Sequence, residues 1–159
     1  MRIGLFEDET AHVAFLPVTR TRPLWEVWWG IDRLIDKWKR HYGWEAVAFW
    51  PFSSLIHPLY PPQIPAFEDA QSQREFLWLN ARLLPWSPDL SRIVDALSPQ
   101  QAYVYENQLL LVRGMPTFKE NFRWTPQDIA GSHKLLPWPE EAPPRCLRTI
   151  TDLFQYNGE

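Results

Sequence analysis

The sequence predicts an α/β domain in which helices pack on a mostly parallel sheet. Three observations predict this class: short apolar runs suited to buried strands, amphipathic stretches suited to helices, and a length suited to one core. The elements follow in the order β-α-β-loop-β-α-β-β, which is typical of layered α/β domains. Since 159 residues correspond to about one domain, we expect residues 1–159 to form a single domain.

The composition excludes several classes of protein. Hydrophobic residues make up 45% of the chain and include 10 Trp, an apolar content that disordered chains lack. The 16 Pro occur with only 6 Gly and no regular period, which excludes collagen. A net charge of −3 supplies no positive field for nucleic acid. Without a membrane span or signal peptide, we expect a Trp-rich cytoplasmic protein that binds neither nucleic acid nor membrane.

The first strand and a long helix are predicted near the amino terminus. Residues 1–6 form an apolar run that ends at acidic residues and predict a buried strand, followed by a loop over residues 7–22. Pro23 suits a first helical turn and Gly43 suits a helix end. Apolar residues recur between them at spacings of three and four, which predicts one amphipathic helix over 23–43.

Four tryptophans lie inside this predicted helix. Its spacing places Trp28 and Trp38 in the core, whereas Trp25 or Trp29 would face a loop or a partner. Residues 46–50, directly after the helix, predict the second strand.

The rest of the chain alternates between proline-rich loops and short elements. Five prolines between 51 and 65 predict a long surface excursion, because neither a helix nor a ladder runs through them. Ser87-Pro88-Asp89 predicts a helix start with Ser87 as the capping hydroxyl. The other predicted elements are a third strand at 76–80, a hairpin at 102–112 that turns at 106–108, a helical turn after Thr125 and a closing helix at 149–156.

The loop after the first strand is where an α/β domain would hold a phosphate. It contains no glycine between Gly4 and Gly30, so neither a dinucleotide fingerprint nor a P-loop fits it. It offers Arg20 and Arg22 instead, at the start of the predicted helix, where guanidinium groups and free N–H groups would bind an anion. Alternatively, both arginines are solvated or paired with Glu7, Asp8 or Glu26. The four histidines lie too far apart in sequence to predict a metal cluster.

Three segments resemble the sugar-nucleotidyltransferase-like family, which is related to the N-terminal domain of N-acetylglucosamine-1-phosphate uridyltransferase. They lie in family order and span most of the chain. The first is Leu16-Pro-Val-Thr-Arg-Thr-Arg-Pro23 with Glu26, Gly30-Ile31 and Lys37-Trp38, the second Leu77-Trp-Leu-Asn-Ala-Arg-Leu-Leu-Pro85, and the third Asp152-Leu-Phe-Gln-Tyr-Asn-Gly-Glu159.

This resemblance implies a Rossmann-like nucleotidyltransferase fold. It also implies transfer of a nucleotidyl group from a nucleoside triphosphate to a sugar 1-phosphate, with Mg²⁺ as cofactor. Family members usually continue into a left-handed β-helix that trimerises. The sequence stops at Glu159, where that repeat would begin. We therefore expect a domain fragment or a form without the second half, with a homo-oligomer or a C-terminal β-helix domain as further partner.

The chain departs from the family pattern at the phosphate-binding positions. The loop from Glu7 to Phe15 lacks glycine, and Leu24 follows the proline of the signature where the family has a lysine. The central strand ends in Asn80 where the family ordinarily has an aspartate for Mg²⁺. Loss of these groups removes cations that would stabilise phosphoryl charge.

In this chain, eight residues are candidates for a variant of the family's site, with Arg20 and Arg22 in place of the missing lysine. Arg20 and Arg22 would be catalytic. The other assignments are substrate binding by Thr19, Thr21, Asn80 and Arg82, and metal binding by Asp8 and Asn157.

Two functions remain open at this point. In the first, the chain transfers a nucleotidyl group through a variant site built on Arg20, Thr21 and Arg22. In the second, the fold persists as a non-catalytic module that binds a nucleotide or sugar phosphate, or packs against a partner.

Overall fold

The structure, a computed structural model, describes residues 1–156. The strands in this part of the chain are β1 (Arg2–Phe6), β2 (Trp28–Trp29), β3 (Asp32–Arg33), β4 (Glu45–Trp50), β5 (Leu77–Asn80), β6 (Gln101–Tyr105), β7 (Gln108–Arg113) and β8 (Lys134–Pro137). The helices are α1 (Glu9–Ala14), α2 (Leu34–Tyr42), α3 (Ala70–Glu75), α4 (Leu90–Ala96), α5 (Pro126–Ile129) and α6 (Asp152–Gln155). Within residues 1–156, no helix combines the length and apolar character that a membrane crossing requires.

A six-stranded sheet in the order β4-β1-β5-β7-β6-β8 organises the fold. Strand β1 is parallel to both of its neighbours, β4 and β5, and β6 is parallel to β8. Only β7 runs antiparallel to its neighbours. The sheet is therefore mostly parallel with helices packed on it, as the sequence predicts, and is consistent with a Rossmann-like nucleotidyltransferase domain.

Apolar side chains fill a core on each face of the sheet. On one face, Ile3 and Leu5 of β1 pack with residues of α2 and α4. On the other face, Phe6 stacks on Trp124, with ring centroids 4.2 Å apart, and Trp78 packs beside them. Alternate residues of β1 thus point to opposite layers, which is the two-residue period of a strand buried on both faces.

The predicted long helix is wrong in its first half. Residues 24–33 form a single 3₁₀ turn followed by the two-stranded hairpin β2–β3, and the helix begins only at Leu34. Gly30 takes a left-handed conformation, with φ of 70°, at the hairpin turn, a conformation that a helix does not contain. The end of the helix is confirmed, because Gly43 is left-handed and its N–H donates to the Lys39 carbonyl.

The tryptophan assignment within this segment is correspondingly wrong at three positions. Trp28 is 62% exposed on the hairpin, whereas Trp25 and Trp29 are buried. Trp38 lies in the core as predicted. A hairpin alternates its side chains every second residue, so neighbouring residues of β2 face opposite directions.

Other elements differ from prediction in smaller ways. The segment 7–22 contains α1 and a 3₁₀ turn, α3 lies where no element is predicted, and β8 lies within residues 116–144, which the sequence predicts to be irregular. Ser87 does not cap α4; its hydroxyl donates to the carbonyls of Leu84 and Arg145 and accepts the Arg145 N–H. The predicted hairpin is confirmed, with Glu106 and Asn107 both left-handed at its turn.

The proline-rich excursion packs along one edge of the sheet. Gln63 and Phe49 exchange two backbone hydrogen bonds, of 2.9 and 2.7 Å, so the excursion pairs with edge strand β4. The opposite edge is β8, which begins at exposed Lys134 and ends at Pro137.

Candidate functional site

The carboxyl ends of β1 and β5 meet at a topological switch point. The chain passes from β1 to β4 on one side and then returns to β5 on the other side of β1. Crevices at such points are the usual ligand sites of open α/β sheets. The residues that follow the two strands, Glu7 and Asp8 after β1 and Arg82 after β5, therefore lie where a ligand site is expected.

Asp8 is held by hydrogen bonds to both carboxylate oxygens. Its Oδ1 accepts the Ala11 N–H at 2.7 Å and caps α1, while its Oδ2 accepts from Asn80 Nδ2 at 2.8 Å. The Arg82 guanidinium lies 3.7 Å from the same Oδ2. The side chains of Asp8, Asn80 and Arg82 are all buried.

Asn80 ties β5 to the neighbouring strand and to Arg82. Its amide Nδ2 also donates to the Leu109 carbonyl at 2.9 Å, and its Oδ1 accepts the Arg82 N–H at 3.0 Å. Asn80 is fully buried. An asparagine supplies both donor and acceptor here, which an aspartate at this position would not do at neutral pH.

The buried carboxylate of Glu7, just after β1, links this point of the chain to two other segments. Its two oxygens accept the N–H of Leu24 at 2.5 Å and the N–H of Phe52 at 3.0 Å. Burial raises the pKa of this carboxyl to about 7, a shift that the two backbone hydrogen bonds reduce and the charge of Asp8 slightly increases. We refer to Glu7, Asp8, Asn80 and Arg82 together as the buried network.

An open cleft of about 540 Å³ lies beside this network, at the carboxyl end of β4. Its walls come from the end of β4 with the segment that follows, from the first turn of α1, and from residues 119–123. Lys119, Arg123 and His57 line it together with one carboxylate, Glu9. Within residues 1–156, neither Lys119 nor Arg123 has an ion pair, although the Arg123 guanidinium lies 5.6 Å from the centroid of the Phe52 ring, so neither charge is neutralised by a carboxylate. A cleft of this volume accommodates a nucleotide-sized ligand.

A sequence model described as "Sugar nucleotidyl transferase" matches residues 3–159. The chain belongs to this family. The resemblance of the three segments is thereby confirmed, and with it a nucleotidyltransferase-like function. No curated protein matches the chain.

Arg20 and Arg22, the arginines of the first family-like segment, are exposed, Arg20 at the end of a 3₁₀ turn and Arg22 just after it. The side chains of Arg20 and Arg22 have no hydrogen bond or ion pair within the described residues. Their predicted partners are engaged elsewhere: Glu26 pairs with Arg33 at 2.9 Å, and Glu7 binds backbone groups. The predicted helix start is wrong, because the Leu24 N–H after Pro23 already donates to Glu7.

The segment adjoins the cleft through His12. Partial burial and, to a smaller extent, the charge of Arg20 lower the pKa of His12, and the His12 ring lies 5.2 Å from that of Phe52 in the cleft wall. Arg20 therefore lies near the cleft, and neither Arg20 nor Arg22 is among the residues that line it.

The two predicted threonines have local partners. Thr19 is buried, and its hydroxyl donates to the His12 carbonyl at 2.6 Å, which fixes the turn before the arginines. The Thr21 hydroxyl donates to the Val18 carbonyl at 3.0 Å and is exposed. Neither hydroxyl donor is free, so the structure favours a positioning role for Thr19.

The predicted metal ligands do not form a cation site in the part of the chain described. Residues 1–156 hold no group of three or more His, Cys, Asp or Glu side chains that could bind a metal. Both Asp8 oxygens already accept hydrogen bonds beside a guanidinium, so Asp8 as placed does not fit a magnesium ligand. Asn157 lies outside the described residues, and Mg²⁺ stays a prediction.

Sequence reasoning missed the cleft's basic residues. Lys119 and Arg123 lie in a proline-punctuated segment that the sequence predicts only as irregular, about 70 residues from the strand whose end they face. The available signal was two basic residues four positions apart, Lys119 and Arg123, interleaved with the aromatic residues Phe118, Phe122 and Trp124. Those rings anchor the segment in the core.

Proposed function

We propose that this chain transfers a nucleotidyl group from a nucleoside triphosphate to a sugar 1-phosphate in the cleft. The observation that carries the proposal is the open, 540 Å³ cleft at the carboxyl end of β4 with Lys119 and Arg123 unpaired along it. Ligands of open α/β sheets bind at this end of the strands. Family membership supports the reaction class.

The reaction needs cations along the triphosphate. A phosphate oxygen of the sugar 1-phosphate attacks the α-phosphorus, the bond from that phosphorus to the bridging oxygen of the β-phosphate breaks, and pyrophosphate leaves. Charge grows on the leaving pyrophosphate as that bond breaks, and positioned guanidinium and ammonium groups stabilise it. Lys119 and Arg123 would act from the cleft wall, and Arg20 and Arg22 from outside it. Thr19 would hold the turn that carries the two arginines.

A second candidate function has its own support. Asn80 and Asp8 are bound to each other and to backbone groups, which leaves no pair of free carboxylates at the switch point. An arrangement of this kind suits a module that binds a nucleotide or sugar phosphate without transferring a group.

One experiment separates the two candidates. The chain is incubated with each nucleoside triphosphate and a panel of sugar 1-phosphates, with and without Mg²⁺, and pyrophosphate release is measured alongside calorimetric binding. We expect release that Arg22→Ala abolishes, while Arg92→Ala, which removes an exposed arginine on α4, leaves it intact. Binding without release would favour the module, and absence of binding would contradict both candidates. Loss of release without Mg²⁺ would support the predicted cofactor.

A further inference from the structure

A second, smaller cavity lies beyond the carboxyl end of β5. Its volume is about 160 Å³, and its lining is about equally polar and apolar. The polar side chains that line it are Thr10, Arg82, Tyr105, Glu106, Gln108, Cys146 and Arg148. Glu9 lines the large cleft and the next residue of α1, Thr10, lines this cavity. The two spaces share no lining residue, so the chemistry of the smaller one is set by its own residues.

Arg82 is a buried cation with unmet hydrogen-bonding capacity. It is 3% exposed, and its Nε has no partner. Its Nη1 reaches the Leu147 carbonyl at a long 3.4 Å, and its Nη2 donates to Gln108. Asp8 Oδ2, 3.7 Å from Nη2, forms an ion pair with the guanidinium but accepts no hydrogen bond from it. A guanidinium has five N–H donors, and buried charged donors are normally satisfied, so this group calls for a further acceptor.

The other polar groups of the cavity are also arranged to donate. Gln108 Nε2 donates to Thr10 Oγ1 at 3.1 Å, which leaves the Thr10 hydroxyl proton free for another acceptor. Arg148 adds a second guanidinium from the solvent side, where it pairs with Glu106 at 3.3 Å. Burial raises the pKa of Cys146 to about 11, so the thiol adds no negative charge. Two guanidinium groups and a hydroxyl thus converge on one small space, together with one carboxylate, Glu106, which pairs with Arg148.

We propose that this cavity binds a single phosphoryl group of a small phosphorylated molecule, held by Arg82, Arg148 and Thr10. Planar guanidinium groups match the oxygens of a phosphate and bind it through paired hydrogen bonds. A volume of 160 Å³ is below the range of about 300–1,000 Å³ typical of whole-ligand pockets, and it suits one phosphoryl group with a few waters. The rest of the molecule would extend past Arg148 to solvent. This site does not depend on the function proposed for the large cleft.

Equilibrium dialysis with radiolabelled inorganic phosphate tests the site. We expect millimolar binding at constant ionic strength set by chloride, weakened roughly tenfold by Arg148→Ala, which removes one charge-assisted contact. Glu106→Ala is the matched control, because it breaks the same ion pair but keeps the cation, and it should bind phosphate at least as tightly. Each variant is measured also with Lys119→Ala and Arg123→Ala, so that phosphate in the large cleft does not contribute.

The single cysteine reports where the phosphate binds. Bound phosphate should slow alkylation of Cys146 in the wild-type chain, and Arg148→Ala should lose that protection. Arg82→Lys keeps the charge but removes the fork, and should weaken binding if circular dichroism shows it folded. Phosphate binding equal in wild type and Arg148→Ala, or no binding in dialysis, would overturn the proposal and leave a water-filled cavity.

Two further arms identify the source of the phosphoryl group. Glucose 1-phosphate competing at lower concentration than inorganic phosphate would identify a sugar phosphate as the ligand, and pyrophosphate competing better would identify a released product. Loss of triphosphate binding in the large cleft, measured separately, would leave these results unchanged.

Discussion

The buried network and the large cleft lie at the same edge of the sheet and use polar residues in opposite ways. In the network, Asp8 and Asn80 bind each other and the backbone and are closed to solvent. In the cleft, Lys119 and Arg123 are exposed and have no ion pair in the described part of the chain. The difference shows that Asp8 and Asn80, at the expected ligand position, are satisfied within the fold, whereas cations without an ion pair lie beside them in the cleft. Substitutions should therefore divide into those that change stability and those that change binding.

The largest expected effect is on stability, from Asn80→Ala. The substitution removes three hydrogen bonds and leaves buried partners on Asp8, Leu109 and Arg82 unsatisfied. We expect the free energy of unfolding in urea to fall by about 3 kcal/mol. Ser54→Ala, which removes an exposed hydroxyl from the cleft, should change it by less than about 0.5 kcal/mol. Equal effects of the two would contradict the division between network and cleft.

The second prediction concerns pH and Glu7. Folding raises the pKa of this carboxyl from 4.5 to about 7, so the folded chain binds more protons than the unfolded chain between these values. Its contribution to stability is therefore present in full below pH 4.5 and is lost as pH rises through about 7, by up to about 3 kcal/mol. Urea unfolding from pH 4 to 8 measures this loss.

Two variants isolate the Glu7 contribution. Glu7→Gln should abolish the loss of stability with rising pH, because the amide does not ionise. Glu9→Gln changes an exposed carboxylate of the cleft and should retain the wild-type pH profile. A profile that Glu7→Gln leaves unaltered would contradict the predicted titration.

The third prediction concerns ligand binding in the cleft rather than stability. Lys119→Ala and Arg123→Ala should each weaken nucleoside triphosphate binding about tenfold in calorimetry, because each removes one charge-assisted contact. Their free energies of unfolding should change by less than about 0.5 kcal/mol, since both side chains are exposed. Arg92→Ala is the control for loss of one surface charge. Unchanged affinity in both variants would contradict the assignment of the cleft as the triphosphate site.

The smallest expected effect is on the pKa of His12, which lies next to the cleft wall. Arg20→Ala should raise the pKa of His12, because the charge of Arg20 lowers it, although burial is the larger cause and remains. Nuclear magnetic resonance titration of the imidazole measures the change, with Arg92→Ala as control. An unchanged pKa would mean that Arg20 lies farther from the cleft wall than its electrostatic effect on His12 indicates.

Sequence patterns predicted the parts of the fold that depend on local physics. The strands predicted at residues 1–6, 46–50 and 76–80 are mostly apolar runs, which is the signal of a buried parallel strand, and the structure has strands there within one residue of those bounds. The helix predicted over 23–43 failed because apolar spacing alone does not distinguish a helix from a turn and hairpin. Gly30 was the local evidence against it, and contacts from distant residues such as Glu7 to Leu24 completed the alternative structure.

The candidate site was less predictable for the same reason. Chain order places Arg20 and Arg22 in the segment that follows the first strand, and the family resemblance indicates Asn80 and Arg82. The cleft itself requires residues 50–57 to meet 119–123, a contact between two irregular segments that no periodicity encodes. The substrate-binding and metal-binding roles predicted from the sequence stay predictions.

Pairing of Gln63 with Phe49 has a consequence for how the protein behaves at high concentration. Open sheets expose unpaired backbone groups at their outer strands, and these groups can recruit strands from other molecules. Here the proline-rich segment occupies the hydrogen-bonding groups of Phe49 on one side. On the other side, Lys134 places a charge at one end of β8 and Pro137 removes a donor at the other end. The prolines that exclude regular structure thus help to keep the sheet from growing into an aggregate.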